Sequence, residues 1–210
     1  MAAGTRERLR AATVTVLGRD GLGHASARVI AAEAGVSQAL IFYHYGSVTD
    51  LLADVATTLS TDRARVYTAR LSPATSLQSL LATARELHQE ETANGNVAAV
   101  RQLVALAAVE PALQPALRRS FEQLAAPVEA TLRRIVTDTA LEDLIDVGPL
   151  AEGIAGGFLG LQLLDGVVVD VDDRATTALD QLAPLVDVVV SAGVLETGLI
   201  RQRLKRSTST

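Results

Sequence analysis

The sequence predicts an all-α fold of about nine helices. Three observations lead there. Apolar residues recur with the helical period through almost every segment. The breaks between segments fall at Gly, Pro and Asn. Only two runs, 167–169 and 188–190, are all valine and strand-like in composition, and each continues a longer helical pattern. With 210 residues, of which 49% are hydrophobic and 20% charged, the chain can bury a sizeable core.

The elements follow in order. Leu9, Ala12, Thr13, Val16 and Leu17 form the stripe of a first amphipathic helix, which three glycines end within 18–23. Ser26 is placed to cap a short second helix whose inner side is Ile30, Ala31 and Ala34, and Gly35 supplies its C-terminal turn. Ser37 can cap a third helix over 38–45. Gly46 and Ser47 break and recap the chain, and a long fourth helix runs to 71, with Asp50 in its first turn. Ser72 and Pro73 stop it. Further helices are expected at 75–93, 96–109, 112–139, 147–168 and 174–197, with Pro127 as a kink in the third of these and a flexible basic tail at 201–210.

Composition excludes several classes. Without cysteine there is no disulfide, thiolate metal site or cysteine nucleophile. No His-Glu-x-x-His, phosphate-binding loop or Gly-x-Ser-x-Gly elbow occurs, so neither enzyme chemistry nor a cofactor or metal is expected. The longest apolar stretch, 153–164, falls short of the roughly 20 residues of a spanning helix. No apolar signal-peptide core opens the chain, and a cytoplasmic protein without a membrane partner is expected. Charge is uneven. Residues 1–50 hold five Arg against four acidic residues, and 51–200 hold ten against twenty. A polyanionic partner would therefore meet the first fifty residues.

Within those fifty lies the anatomy of a helix-turn-helix, with a short helix from Ser26, a turn through Gly35 and a second short helix after Ser37. Gln38, Ala39 and Tyr43 are expected to face outward, with Ile41 and either Leu40 or Phe42 turned inward. The N-terminal part of such a helix can reach base edges in a major groove. Phe42, Tyr43 and Tyr45, three of the six aromatic residues, fall in this one block, which favours an interface.

These residues resemble the DNA-binding domain of the TetR (tetracycline repressor) family of bacterial regulators. The resemblance is carried by Gly21-Leu22, by Ser26, Arg28, Ile30 and Ala31, by Ala34-Gly35-Val36-Ser37, and by the block from Ile41 to Tyr45 followed by Gly46, Ser47 and Val48. It covers about the first quarter of the chain. Three positions depart from the family pattern: Phe42 stands where Tyr is usual, Gly46 for Pro and Val48 for Lys, so two phosphate contacts are lost.

The resemblance implies a DNA-binding domain over 1–55 and a helical domain over 56–200 for ligand binding and dimerisation. It implies double-stranded operator DNA as partner, met by Ser26, Arg28, Ser37, Gln38, Ala39, Tyr43 and His44 and by the helix start at Ser47 and Val48. It also implies a small-molecule effector that releases a repressor from its operator. His88, Gln102, Phe121, Phe158 and Gln162 are the candidate pocket residues. A homodimer would pair the helices at 147–168 and 174–197 through Gly153, Gly157, Gly160, Leu161, Leu164, Leu185 and Val189, since glycines four apart bare one helix face for close approach. The alternative is a regulator that binds DNA without responding to a ligand, its larger domain serving only dimerisation or a protein partner.

Overall fold

The computed structural model describes residues 2–139, 142 and 145–164. Eight α-helices occur among them: α1 (Ala2–Arg19), α2 (Ala27–Glu33), α3 (Ala39–Tyr45), α4 (Val48–Leu71), α5 (Leu77–Ala93), α6 (Asn96–Ala107), α7 (Gln114–Val136) and α8 (Val147–Leu164). Short 3-10 turns precede α2, at Leu22–His24, and α7, at Pro111–Leu113. No strand occurs among the described residues. The expected helix at 174–197, with Leu185 and Val189, lies outside them, as do the valine runs, the tail at 201–210 and the side chains of Leu161, Gln162 and Leu164. α7 runs through Pro127 as one helix.

The chain packs as two compact units. The first joins Met1–Arg65 to Leu87–Leu124. Its core holds Leu9, Leu17, Ile30, Ile41, Leu51, Val55, Ala99, Leu103 and Leu113. Burying a Leu or Ile side chain contributes about 1.5–3 kcal/mol, so this cluster dominates the unit's stability. The helices α2 and α3 thus pack together with α6, which supplies Ala99 and Leu103.

The second unit takes Val66–Glu86 together with the described residues from Ala125 onward. Leu71, Leu80, Leu81, Val128, Leu132, Ile135, Val147 and Ala151 form its core. One guanidinium nitrogen of Arg134 donates to the carbonyls of Leu71, Ser72 and Ala74 at 3.3, 2.8 and 3.2 Å. A cation on the last carbonyls of α4 satisfies acceptors that the helix itself leaves open and complements its dipole.

Candidate nucleic-acid interface

The turn between α2 and α3 is set by backbone chemistry. Ser26 is extended at the N-cap, and its Oγ accepts from the Val29 N–H at 3.4 Å. At the other end Gly35 takes φ +64, where a Cβ would be strained. Its N–H donates to the Ala32 carbonyl at 3.1 Å, and the Val36 N–H donates to the Ala31 carbonyl at 2.9 Å. This double closure is a Schellman motif, and it turns the chain sharply into the next helix. Val36 then packs on the core.

α3 starts one residue later than expected. Gln38 already has helical dihedrals, and the first turn is tight, with the Leu40 and Ile41 N–H groups donating to the Ser37 and Gln38 carbonyls, each at 3.1 Å. Ser37 thus meets the helix start with its backbone oxygen. Ile41 is fully buried and anchors the inner side. Gln38, Ala39, Phe42 and Tyr43 form the outer side, and Tyr43 is 80% exposed. Of the two residues left open for the inner side, Leu40 is half-buried and Phe42 is exposed. Phe42 therefore joins the outer face, a position that sequence reasoning left undecided.

Sequence reasoning missed the support beneath this face. Asp54 of α4 accepts at one carboxylate oxygen from the Tyr45 hydroxyl, at 3.0 Å, and from Arg10 of α1, at 3.3 Å. Three helices thus meet at one oxygen. Arg6 donates to the His44 carbonyl at 3.3 Å, and its guanidinium lies 4.9 Å from the centroid of the Tyr45 ring. Burial, and after it the bond to Asp54, pushes the Tyr45 phenol up to about 12. At neutral pH it is a hydrogen-bond donor and stays one. The rings of Tyr43 and His44 meet edge to face, 5.0 Å apart. The two bonds to Asp54 have no local signature, because Asp54 stands nine residues from Tyr45 and 44 from Arg10.

At the α4 start the Ser47 hydroxyl donates to Asp50 Oδ2 at 2.6 Å and accepts from the Asp50 N–H at 3.0 Å. A carboxylate is thus fixed on the turn where a phosphate was expected to sit, and it opposes an incoming anion. Val48 is half-buried and packs on the core. Ser26 and Arg28 are exposed at the start of α2.

The candidate pocket residues are placed differently. His88 and Phe121 are half-buried in the first unit. Gln102, in the same unit, accepts from the Leu22 N–H at 3.3 Å. Phe158 belongs to the second unit. An open trough of about 530 Å³ runs along α7, lined by Ala126, Glu129, Ala130, Arg133, Arg134 and Thr137, and it includes none of the expected five. No helix among the described residues is long and apolar enough to cross a membrane.

A capped short helix, a glycine-closed turn and a second helix with an exposed polar and aromatic face make a helix-turn-helix, an arrangement that can set its second helix in a major groove. Residues 9–55 match the model of the bacterial regulatory proteins of the tetR family. Through these residues, less than a quarter of the chain, the protein is similar to the DNA-binding domain of that family. Solved structures share the fold at low identity. A transcriptional regulator from Rhodococcus sp. Rha1 is 23% identical, with 86% of this chain and 94% of that one covered and a TM-score of 0.62. The multidrug binding protein EbrR, complexed with imidazole, is 23% identical over 85% and 94%, with a TM-score of 0.61. The fatty acid degradation regulator FadR from Bacillus halodurans is 15% identical over 89% and 98%, also at 0.61. No curated protein matches the chain.

Proposed function

We propose that this protein is a cytoplasmic repressor that binds double-stranded operator DNA as a homodimer and leaves it when a small molecule binds the remaining helices. The observation that carries the DNA reading is the outer face of α3, where Gln38, Ala39, Phe42 and Tyr43 stand in solvent above a buried Ile41. An amide can read adenine in the major groove, and Ala39 and the aromatic rings can meet thymine methyls. Ser26, Arg28, Ser37 and His44 are assigned to phosphates or neighbouring base edges; at Ser47 and Val48 only the backbone is left to a phosphate, and the Asp50 carboxylate beside it weakens that contact. A helix-turn-helix reads only a few base pairs, so two copies about one helical turn of DNA apart give usable specificity.

Ligand response is supported by the fold neighbours, one of them a multidrug binding protein. Gel retardation with the duplex upstream of the chain's own gene tests both parts. Retardation that small apolar or weakly polar metabolites relieve is expected. Effector and operator must then weaken each other by the same factor. Lack of binding to that duplex and to duplexes selected from a random pool would overturn the DNA reading. Binding that no compound in a broad metabolite panel alters would leave a ligand-independent regulator.

A further inference from the structure

In the first unit, α1 and α6 approach backbone to backbone. A Cβ added at Gly18 would stand 3.3 Å from the Gly95 carbonyl oxygen. Gly95 itself takes φ +75 at the start of α6. At that end Asn96 donates to Glu91 Oε2 at 2.9 Å, and the same carboxylate oxygen is 3.2 Å from the guanidinium Nε of the buried Arg63 on α4. Farther along α6, Ala99 and Leu103 enter the core beside Leu9 and Leu17.

Between them Gln102 does something that packing does not require. Its amide oxygen accepts from the Leu22 N–H, eighty residues away in sequence. That N–H opens the 3-10 turn Leu22–His24, whose N-cap is Gly21, a residue with no side chain to satisfy it. An open first-turn N–H needs an acceptor from elsewhere, and α6 supplies one. The turn leads straight into the motif: the Ser26 N–H donates to the His24 carbonyl at 2.8 Å, and Ser26 then caps α2.

We infer that Gln102 is a positioning residue for DNA recognition, holding the entry of the helix-turn-helix to α6. It touches no base. It fixes the start of α2 and thereby the presentation of α3. Through Asn96, Glu91 and Arg63 the same helix is tied to α4, so α6 is joined both to the turn that enters the motif and to the helix that follows it.

Three full-length variants test this on a duplex selected from random sequence by the wild-type protein, with an unrelated duplex as reference. Gln102→Leu removes the acceptor at nearly constant size. Gln102→Asn keeps an amide but withdraws it by one methylene. Gln102→Glu keeps an oxygen at the original reach. Faster amide hydrogen exchange at Leu22 is expected for the Leu and Asn variants. Roughly tenfold weaker binding to the selected duplex is expected with it, the unrelated duplex being bound as before. The Glu variant should stay close to wild type in both. If Gln102→Leu fails to fold, the Asn and Glu pair decides alone. Wild-type discrimination by Gln102→Asn, or an equal loss in Gln102→Glu, would overturn the inference.

Discussion

Two exposed helical faces among the described residues, one on α3 and one on α8, are built in opposite ways. On α3 the outer positions carry an amide and two aromatic rings over a buried isoleucine. On α8, Gly153 and Gly157 are exposed, and a Cβ added at Gly153, Gly157 or Gly160 would meet nothing among the described residues within 4 Å. A face that reads another polymer must present donors, acceptors and contact area. A face that brings two helices close needs only the absence of side chains. Glycine inside a helix costs up to about 1 kcal/mol relative to alanine, so a bare face without a partner is a net loss to the folded chain. In the proposed dimer, that loss is offset by close packing.

The sharpest way to break this comparison is to fill the bare face. A Cβ at Gly157 meets no described atom within 4 Å, and leucine raises helix propensity, so the helix itself should form at least as well. If α8 is the self-interface, sedimentation should find monomers, and operator affinity should fall on the order of 100-fold as the second half-site is lost. A stable dimer carrying this substitution would place the interface elsewhere. Stripping the loaded face comes next. Gln38→Ala and Tyr43→Ala should each cost about 1–3 kcal/mol of operator binding, with circular dichroism unchanged because both residues are exposed. Fluorescence anisotropy at fixed salt measures it, and full affinity in both variants would remove α3 from the groove.

Smaller effects probe the support under α3. Asp54→Ala leaves the Tyr45 hydroxyl and Arg10 without their shared acceptor, and should cost about 1–2 kcal/mol of stability in urea unfolding. The smallest effect lies at alkaline pH. The Tyr45 phenol titrates at 10.0 when free and is pushed up to about 12 in the fold, so the native state holds the proton more tightly. Its contribution is complete below pH 10 and is lost as pH rises towards 12. Because the group is only half-buried, the loss should stay below about 1 kcal/mol. Tyr45→Phe should flatten the pH–stability curve in that window, and an unchanged slope would detach Tyr45 from Asp54.

How much of this the sequence discloses depends on the range of the interactions. The helices up to Leu71 and the motif were legible because their determinants are local: a serine before a helix, glycine at a left-handed turn, an apolar stripe. Gln102 was not. An amide beside an apolar stripe is the same string whether it faces a ligand or a neighbouring helix, and its acceptor role depends on a residue eighty positions away. Asp54 escaped for the same reason. The start of α3 shifted by one residue because Gln38 adopts helical dihedrals and Ser37 serves through its carbonyl, a choice that composition does not fix.

The placement of the tyrosines gives this protein a built-in optical signal. The chain has no tryptophan and three tyrosines, so its near-ultraviolet emission is tyrosine emission alone. Tyr45 already donates its hydroxyl to the Asp54 carboxylate, an arrangement that quenches a phenol in its excited state. Tyr67 lies in the other compact unit. Tyr43, in water on the outer face of α3, is the one placed to respond to DNA. Stacking or packing against bases should dim it, so unlabelled protein titrated with its operator should lose emission in step with binding, and Tyr43→Phe should abolish that change while leaving most of the affinity.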